Sequence, residues 1–181
     1  MGCGKSSVGK ILATLLPECR LIDLDTYIEE KQGKNIPEIF NEYGEAAFRR
    51  MEHEALEEIF SDKSRPRAIL SLGGGTVTSE QCRQLIRQHT DCFYLRATTD
   101  TLLDNLEGHS DGRPMLNPTQ PVEAQSTETS SEREALRRRI ESLMQTRSPQ
   151  YIATAHHIID IEGQTFAQIA EAVEDNILNI K

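Results

Sequence analysis

The chain has 181 residues, of which 37% are hydrophobic and 27% charged, a balance typical of one globular domain with its own core. Its net charge of −9 argues against general binding to nucleic acids or anionic membranes, because both are polyanionic. No apolar run approaches the roughly 20 residues of a membrane span, and the four cysteines lack C-x-x-C spacing, so we expect a cytoplasmic protein with reduced thiols.

Short apolar segments alternate with amphipathic ones along the whole chain. The predicted elements are, in chain order, a helix at 5–16, a strand at 20–23, a helix at 25–30, a helix capped by Asn35, a helix at 45–60, a strand at 68–72, helices at 79–89 and 99–106 around a strand at 92–95, a helix at 132–147, a strand at 158–161 and a helix at 166–180. Between them, the polar stretch 107–131 is predicted to be a lid or insert. Alternation of this kind predicts an α/β fold, with a parallel sheet covered by helices on both faces, in a single domain at 1–181.

The first residues carry a phosphate-binding signal. Gly2–Ser7 read Gly-Cys-Gly-Lys-Ser-Ser and match the second half of the pattern G-x-x-x-x-G-K-[ST]. Glycines let backbone N–H groups approach phosphate oxygens, and the following helix adds its positive N-terminal end. Lys5 is expected to reach the β- and γ-phosphates, and Ser6 to hold Mg²⁺. The alternative is a chance G-K-S at an ordinary helix start. The predicted nucleotide contacts are Gly2, Cys3, Gly4, Lys5, Ser6 and Ser7.

Acids and an arginine follow in positions that suit a ligand. Asp23 and Asp25 lie at the end of the first predicted strand, where ligands of open α/β sheets gather. One acid could face a metal and the other a hydroxyl; alternatively, Asp25 caps the next helix. Arg49 and Glu52 are i,i+3 neighbours on a helix. The acid could lock the guanidinium for bidentate carboxylate binding, or the two could form a surface ion pair.

Three further candidate site features lie later in the chain. Gly73–Gly75 directly follow a buried strand, and three consecutive glycines favour a ligand lying against the backbone over a simple flexible turn. Arg113 lies in the polar segment and could close over phosphates or be solvated. Arg147 precedes Pro149, which permits a plain interpretation as the cationic end of a helix with a proline stop.

Taken in order, these motifs resemble the shikimate kinase family over essentially the whole chain. The motifs that carry the resemblance are Gly2–Ser6, Asp23/Asp25, Phe48-Arg49-x-x-Glu52, Gly73–Gly75, Arg113-Pro114 and Arg147-x-x-x-Tyr151. The resemblance implies Mg²⁺-dependent transfer of the ATP γ-phosphate to the 3-hydroxyl of shikimate, on the route to chorismate and the aromatic amino acids. It also implies that Asp23 holds Mg²⁺ through water and that Asp25 orients or deprotonates the acceptor hydroxyl.

The remaining implied roles concern the acceptor and the lid. By resemblance, Arg49 and Arg147 grip the shikimate carboxylate from two sides, and Gly74 and Gly75, next to Gly73, offer backbone N–H groups to its hydroxyls. Arg113 is implied to close the lid onto the nucleotide, so Asp25, Lys5 and Arg113 are the expected catalytic residues. A monomer is expected, with ATP and Mg²⁺ as cofactors and shikimate as the small-molecule partner.

Two departures from the family and two alternatives remain open. The family sheet has strand order 2-3-1-4-5, and its central first strand and opening loop glycine have no residues here. We expect two unpaired strand edges and a hole in the core, and a biological protein that begins upstream of Met1. The segment between Arg113 and Arg147 is longer than in compact members. The alternatives are another small P-loop kinase, for gluconate or a nucleoside monophosphate, and a non-catalytic nucleotide-binding homologue.

Overall fold

The computed structural model describes residues 2–62, 67–106 and 128–179, with only the backbone described at 128–131. Its elements, in chain order, are α1 (Lys5–Leu15), β1 (Arg20–Asp23), α2 (Leu24–Gln32), α3 (Ile36–Ser61), β2 (Ala68–Ser71), a 3₁₀ turn (Thr76–Thr78), α4 (Glu80–His89), β3 (Phe93–Arg96), α5 (Thr99–Leu106), α6 (Glu128–Thr154), β4 (His157–Asp160) and α7 (Phe166–Asn179). Each predicted strand lies within one residue of an observed one. The α/β class predicted from the alternating pattern is confirmed.

The strands form two separate parallel pairs. β1 pairs with β2, with Arg20 opposite Ala68, and β3 pairs with β4, with Phe93 opposite His157. Helices connect the members of each pair, as parallel strands require. Within the described residues no strand joins β2 to β3. A cleft of about 240 Å³ lies there instead, with β2 along one wall and β3 along the other. The gap expected from the resemblance therefore lies between the second and third strands of the chain.

Each strand pair packs against its own hydrophobic core. The core beside β1 and β2 also contains α2, α3 and α4, and its fully buried side chains include Leu24, Ile28, Ile39 and Leu56. The core beside β3 and β4 also contains α1 and α7, and its buried side chains include Val8, Leu12, Ile159 and Ile169. Burying each such side chain contributes about 1.5–3 kcal/mol. A smaller cluster joins α5 to α6.

α3 begins and bends where the sequence indicates. Asn35 forms a capping box with Glu38: its side chain accepts the Glu38 N–H, and the Glu38 carboxylate accepts the Asn35 N–H. Gly44, with φ 75° and ψ 171°, interrupts the helical backbone. The two helices predicted around this point are therefore the two halves of one bent helix, because only glycine adopts this conformation without strain.

α6 is longer at both ends than predicted. The expected proline stop is wrong, because the helix continues through Pro149 to Thr154. Proline removes one helical hydrogen bond, but the last turn has other partners. The Thr154 hydroxyl bonds back to the carbonyl four residues earlier, and Arg87 donates to the carbonyl of Ala153 at 2.8 Å. Residues 128–131, predicted to belong to the lid, are helical. None of the helices in the described ranges is long and apolar enough to cross a membrane.

Candidate active site

The predicted phosphate loop leads directly into α1. Gly4 precedes the first helical residue with a left-handed φ of 77°, and Gly2 has a φ of 68°. A Cβ at Gly4 would lie 2.4 Å from Cε1 of Phe166, so both conformation and crowding require glycine. The Val8 N–H bonds to the Gly4 carbonyl at 2.9 Å and closes the first turn. The N–H groups before Val8 have no helical partner, which makes this helix start a candidate anion site.

Ser6 and Asp23 meet at the end of β1. The Ser6 hydroxyl donates to Asp23 Oδ2 at 3.2 Å. The other oxygen of Asp23 caps α2, accepting from the N–H groups of Asp25 at 3.1 Å and Thr26 at 3.4 Å. The alternative in which Asp25 is the cap is therefore wrong. A hydroxyl beside a carboxylate is a hard oxygen donor set that fits Mg²⁺. In the described part of the chain, no group of three or more His, Cys, Asp or Glu could form another metal site.

Asp25 lies in the first turn of α2 and faces the triple-glycine loop. Its Oδ1 atom lies 2.8 Å from where a Cβ at Gly73 would be. Burial raises the pKa of the Asp25 carboxyl, and the nearby positive charge of Lys5 lowers it in part. A partly desolvated carboxylate beside a cation can remain ionised at neutral pH while being a stronger base than a solvated one.

Arg49 is held by two acids of its own helix. Its Nη1 donates to Glu52 Oε2 at 2.5 Å and its Nη2 to Glu45 Oε1 at 2.9 Å. The Glu52 side chain is 0% exposed and Arg49 only 15%, so the alternative of a surface ion pair is wrong. The Thr76 hydroxyl donates to the other Glu52 oxygen at 2.5 Å. Burial raises the pKa of Glu52, while the charge of Arg49 lowers it. These contacts fix the guanidinium in one orientation.

The first and third glycines of the loop leave room for side chains from α2 and α3. A Cβ at Gly75 would lie 2.2 Å from Arg49 Nη2. A Cβ at Gly73 would lie 3.0 Å from Glu52 Oε1, in addition to its close approach to Asp25. Because Gly75 has an ordinary φ of −102°, space rather than backbone conformation demands glycine there. The absence of side chains on the loop therefore lets the polar side chains of Asp25, Arg49 and Glu52 pack directly against its backbone.

The middle glycine is contacted from α6. The Gly74 carbonyl accepts from the Tyr151 hydroxyl at 2.5 Å and from Arg147 Nη1 at 3.4 Å. Arg147 is 6% exposed, so it is not the solvated cationic helix end that a plain interpretation allows. Arg49 and Arg147, which are far apart in the sequence, thus reach neighbouring glycines of one loop from two different helices.

The other predicted site residues are placed less informatively. Cys3 lines the cleft and packs against apolar side chains, and Ser7 is exposed on α1. Arg113 lies outside the described residues. Sequence reasoning missed three contacts of these loops: Thr76 to Glu52, Phe166 to Gly4, and the side-chain amide of Asn105, which donates to the Gly2 carbonyl at 2.8 Å. Only Thr76, directly after the glycines, had a sequence signal that could have revealed it.

The positive charge of Lys5, on the phosphate loop, lowers the pKa of Asp25, on the arginine-lined side of the site, so the two parts of the site interact electrostatically. A phosphate donor on the loop and an anionic acceptor beside Asp25 would therefore meet at this point. By class, the chain is a small-molecule P-loop kinase with an α/β fold.

Comparison with known proteins narrows this class. A sequence model of the family described as "Shikimate kinase" matches residues 1–178. The shikimate kinase of Thermus thermophilus is 33% identical over 177 residues, which cover 98% of this chain and 85% of that protein. The shikimate kinase of Chlorobaculum tepidum is 39% identical over 151 residues, covering 83% of this chain and 73% of that protein. The chain belongs to the shikimate kinase family.

Solved structures agree with the fold. A shikimate kinase from Acinetobacter baumannii in complex with shikimate has a TM-score of 0.83 and 30% identity, and the match covers 100% of this chain and 90% of that one. A shikimate kinase from Bacteroides thetaiotaomicron has a TM-score of 0.79 and 26% identity, over 99% and 94% of the two chains. The family and the P-loop kinase fold predicted from the motifs are thus confirmed.

Proposed function

We propose that this protein transfers the γ-phosphate of ATP to the 3-hydroxyl of shikimate, in an Mg²⁺-dependent reaction on the route to chorismate. The observation that supports this acceptor is the convergence of Arg49 and Arg147 on Gly73–Gly75. Two guanidinium groups suit a carboxylate, and the backbone N–H groups of a glycine loop suit ring hydroxyls. The relative from Acinetobacter baumannii has a structure in complex with shikimate, which supports the same acceptor class here.

Asp25 is proposed to orient the acceptor hydroxyl and to take its proton. It is the buried carboxylate on the acceptor side, and its pKa is raised by burial and lowered by Lys5. As phosphoryl transfer proceeds, the hydroxyl oxygen forms the new bond to phosphorus and its proton passes to an Asp25 oxygen. The bond between the γ-phosphorus and the oxygen that bridges it to the β-phosphate breaks, and ADP leaves with the electrons of that bond.

The nucleotide side is proposed to act through charge and position. Lys5 and the free N–H groups of the first turn of α1 would bind the phosphates, together with the backbone of Gly2, Cys3, Gly4 and Ser7. Ser6 and Asp23 would hold Mg²⁺, Asp23 through water, and the bound ion would neutralise phosphate charge. Arg113, outside the described residues, is proposed from the family resemblance to close onto the nucleotide.

The same proposal takes residues 1–181 as one kinase domain that acts as a cytoplasmic monomer. The experiment that tests the reaction offers the full chain ATP and Mg²⁺ with shikimate, gluconate or a nucleoside monophosphate. ADP release measures turnover, and ³¹P-coupled NMR of the product identifies which hydroxyl is phosphorylated. A Lys5→Ala variant, purified in parallel, serves as the blank for contaminating kinases.

Preferential turnover of shikimate, with the phosphate on its 3-hydroxyl, is the expected result. Faster turnover of gluconate or a nucleoside monophosphate would show that the proposed acceptor is wrong, although the protein would still be a small-molecule P-loop kinase. ATP binding without ADP release for any acceptor would instead favour a non-catalytic nucleotide-binding protein.

A further inference from the structure

The Tyr151 hydroxyl is bonded to one peptide group of the triple-glycine loop. It donates to the Gly74 carbonyl at 2.5 Å, whereas Arg147 reaches the same oxygen at 3.4 Å, near the limit of a hydrogen bond. The Tyr151 ring is held by the ring of Tyr94, with centroids 5.1 Å apart. Burial raises the pKa of Tyr151, so the hydroxyl keeps the proton that it donates.

The direction of this carbonyl also determines the direction of an N–H group. A trans peptide is planar, so its C=O and N–H point in opposite directions. The described residues contain no cis peptide, and the carbonyl of Gly74 therefore points toward α6 while the N–H of Gly75 points away from it. Among the described hydrogen bonds, none uses the Gly75 N–H, which remains available to a ligand.

A peptide between two glycines needs such a restraint. Neither Gly74 nor Gly75 has a Cβ, so rotation of the whole peptide plane meets little steric resistance. A flipped plane would present a carbonyl oxygen where a donor is needed and would repel the oxygen of a hydroxylated, negatively charged acceptor. Arg147 is a poor substitute for Tyr151 in this role, because its contact is long and its guanidinium is needed for the acceptor carboxylate.

We propose that Tyr151 is a positioning residue, which holds the Gly74–Gly75 peptide so that the Gly75 N–H donates to the acceptor and Arg147 stays free for the carboxylate. This inference rests on the proposed function for the identity of the acceptor, but the link between Tyr151 and the peptide plane is independent of it. Tyr151 touches the loop and neither reactant, so its effect is on acceptor binding.

The kinetic test compares Tyr151→Phe with Tyr94→Phe in the full chain. Tyr151→Phe keeps the ring packing and removes the hydroxyl, which contacts both the Gly74 carbonyl and Arg147. The KM for shikimate should therefore rise about five- to tenfold, the equivalent of one neutral hydrogen bond. The KM for ATP and kcat at saturating shikimate should stay within about twofold. Tyr94→Phe removes a neighbouring hydroxyl whose partner is Ser148 rather than the loop, and it should leave both constants unchanged. An equal rise in the KM for shikimate in the two variants would mean that Tyr151 acts only through general packing, and it would overturn the proposal.

A second measurement, by NMR, reports on the orientation of the Gly74–Gly75 peptide and does not depend on enzyme turnover. In protein labelled with ¹³C′ and ¹⁵N glycine, only the Gly73–Gly74 and Gly74–Gly75 peptides join two labelled atoms directly. The Gly75→Ala variant keeps only the first of these two signals and so assigns the second. In Tyr151→Phe the Gly75 amide should shift, broaden or split, whereas Tyr94→Phe should leave it in place. An unaltered signal in Tyr151→Phe would refute the restraint. If the wild-type chain fails to phosphorylate shikimate, the proposed function fails, and this signal still decides whether Tyr151 fixes the loop.

Discussion

Ser6 and Asp23 are joined by a hydrogen bond of 3.2 Å across 17 positions of the chain, and the same carboxylate caps α2. One side chain therefore links the phosphate loop, the end of β1 and the helix that carries Asp25. The two functions of Asp23 can be separated by mutation, because asparagine caps helices as well as aspartate but carries no charge.

Asp23→Asn should leave the free energy of unfolding nearly unchanged, whereas Asp23→Ala should lower it by about 1 kcal/mol through loss of the cap. Both variants should need about tenfold more Mg²⁺ for half-maximal turnover, because both lose the negative charge proposed to orient the metal waters. Urea unfolding and Mg²⁺ titration of the rate measure the two effects. An unaltered Mg²⁺ requirement in Asp23→Ala would remove this residue from the metal site.

Arg49→Lys should raise the KM for shikimate about 10- to 100-fold with little change in the KM for ATP. Lysine keeps a positive charge beside the buried Glu52 but loses the planar fork that binds a carboxylate bidentately. Arg49→Ala tests the same role, but it leaves Glu52 without its ion partner, at a cost of about 3–5 kcal/mol. Arg50→Ala is the matched control, since Arg50 is the next residue and is exposed. Equal losses for shikimate and ATP would contradict the assignment of Arg49 to the acceptor.

Gly75→Ala should reproduce the effect of losing Arg49. The new Cβ would lie 2.2 Å from Arg49 Nη2, and the guanidinium must move because the backbone of Gly75 suits alanine. The expected rise in KM for shikimate is about tenfold, from loss of a charged hydrogen-bond pair. The double variant Gly75→Ala with Arg49→Lys should be little worse than Arg49→Lys alone, as expected for residues in contact. Strictly additive effects would show that alanine acts on something other than Arg49.

Asp25→Asn should lower kcat and raise stability at neutral pH. Burial raises the pKa of Asp25 in the folded state above its ordinary value of 3.8, so the protonated form is favoured by folding. Its contribution to stability is therefore fully present below pH 3.8 and is lost as the pH rises through the folded pKa. At pH 7 the wild type carries the cost of a buried charge, which asparagine lacks.

The melting temperature of Asp25→Asn should thus exceed that of the wild type at pH 7, and the difference should vanish on acidification toward pH 3.8. Nucleotide binding should persist in the variant, as the phosphate loop is untouched. Wild-type turnover in Asp25→Asn would argue against a role for the carboxylate in proton transfer. Asp23→Asn is the control, because it also removes one negative charge nearby but keeps a side chain that can cap α2.

Local signals predicted the elements where the deciding contacts are local. Asn35 was predicted as a helix cap, and Glu38, which completes the capping box, is only three residues away; Gly44 bends α3 by its own conformation. The stop at Pro149 was wrong because the partner that completes α6 is Arg87, 66 residues away from Ala153. No window of sequence contains that contact.

In the site, too, the local motifs could be predicted from the sequence and the long-range contacts could not. The glycine loop and the acids could be recognised one motif at a time, but their meaning depended on order along the whole chain. That Arg49 and Arg147 approach adjacent glycines, and that Tyr151 bonds to Gly74, are consequences of packing between α3, α6 and the loop. Phe166 against Gly4 is a contact between two ends of the chain, which composition and periodicity do not encode.

The two strand pairs carry different parts of the proposed site. Asp25, Arg49 and the glycine loop belong to the half built on β1 and β2, while most of α1 packs into the core beside β3 and β4. α1 nevertheless touches the first half at Gly9, where a Cβ would lie 3.2 Å from Leu21. The proposed donor site, at the start of α1, and the proposed acceptor site are thus linked through the packing of α1. We expect the fit of α1 against Leu21 to affect how accurately the two reactants face each other.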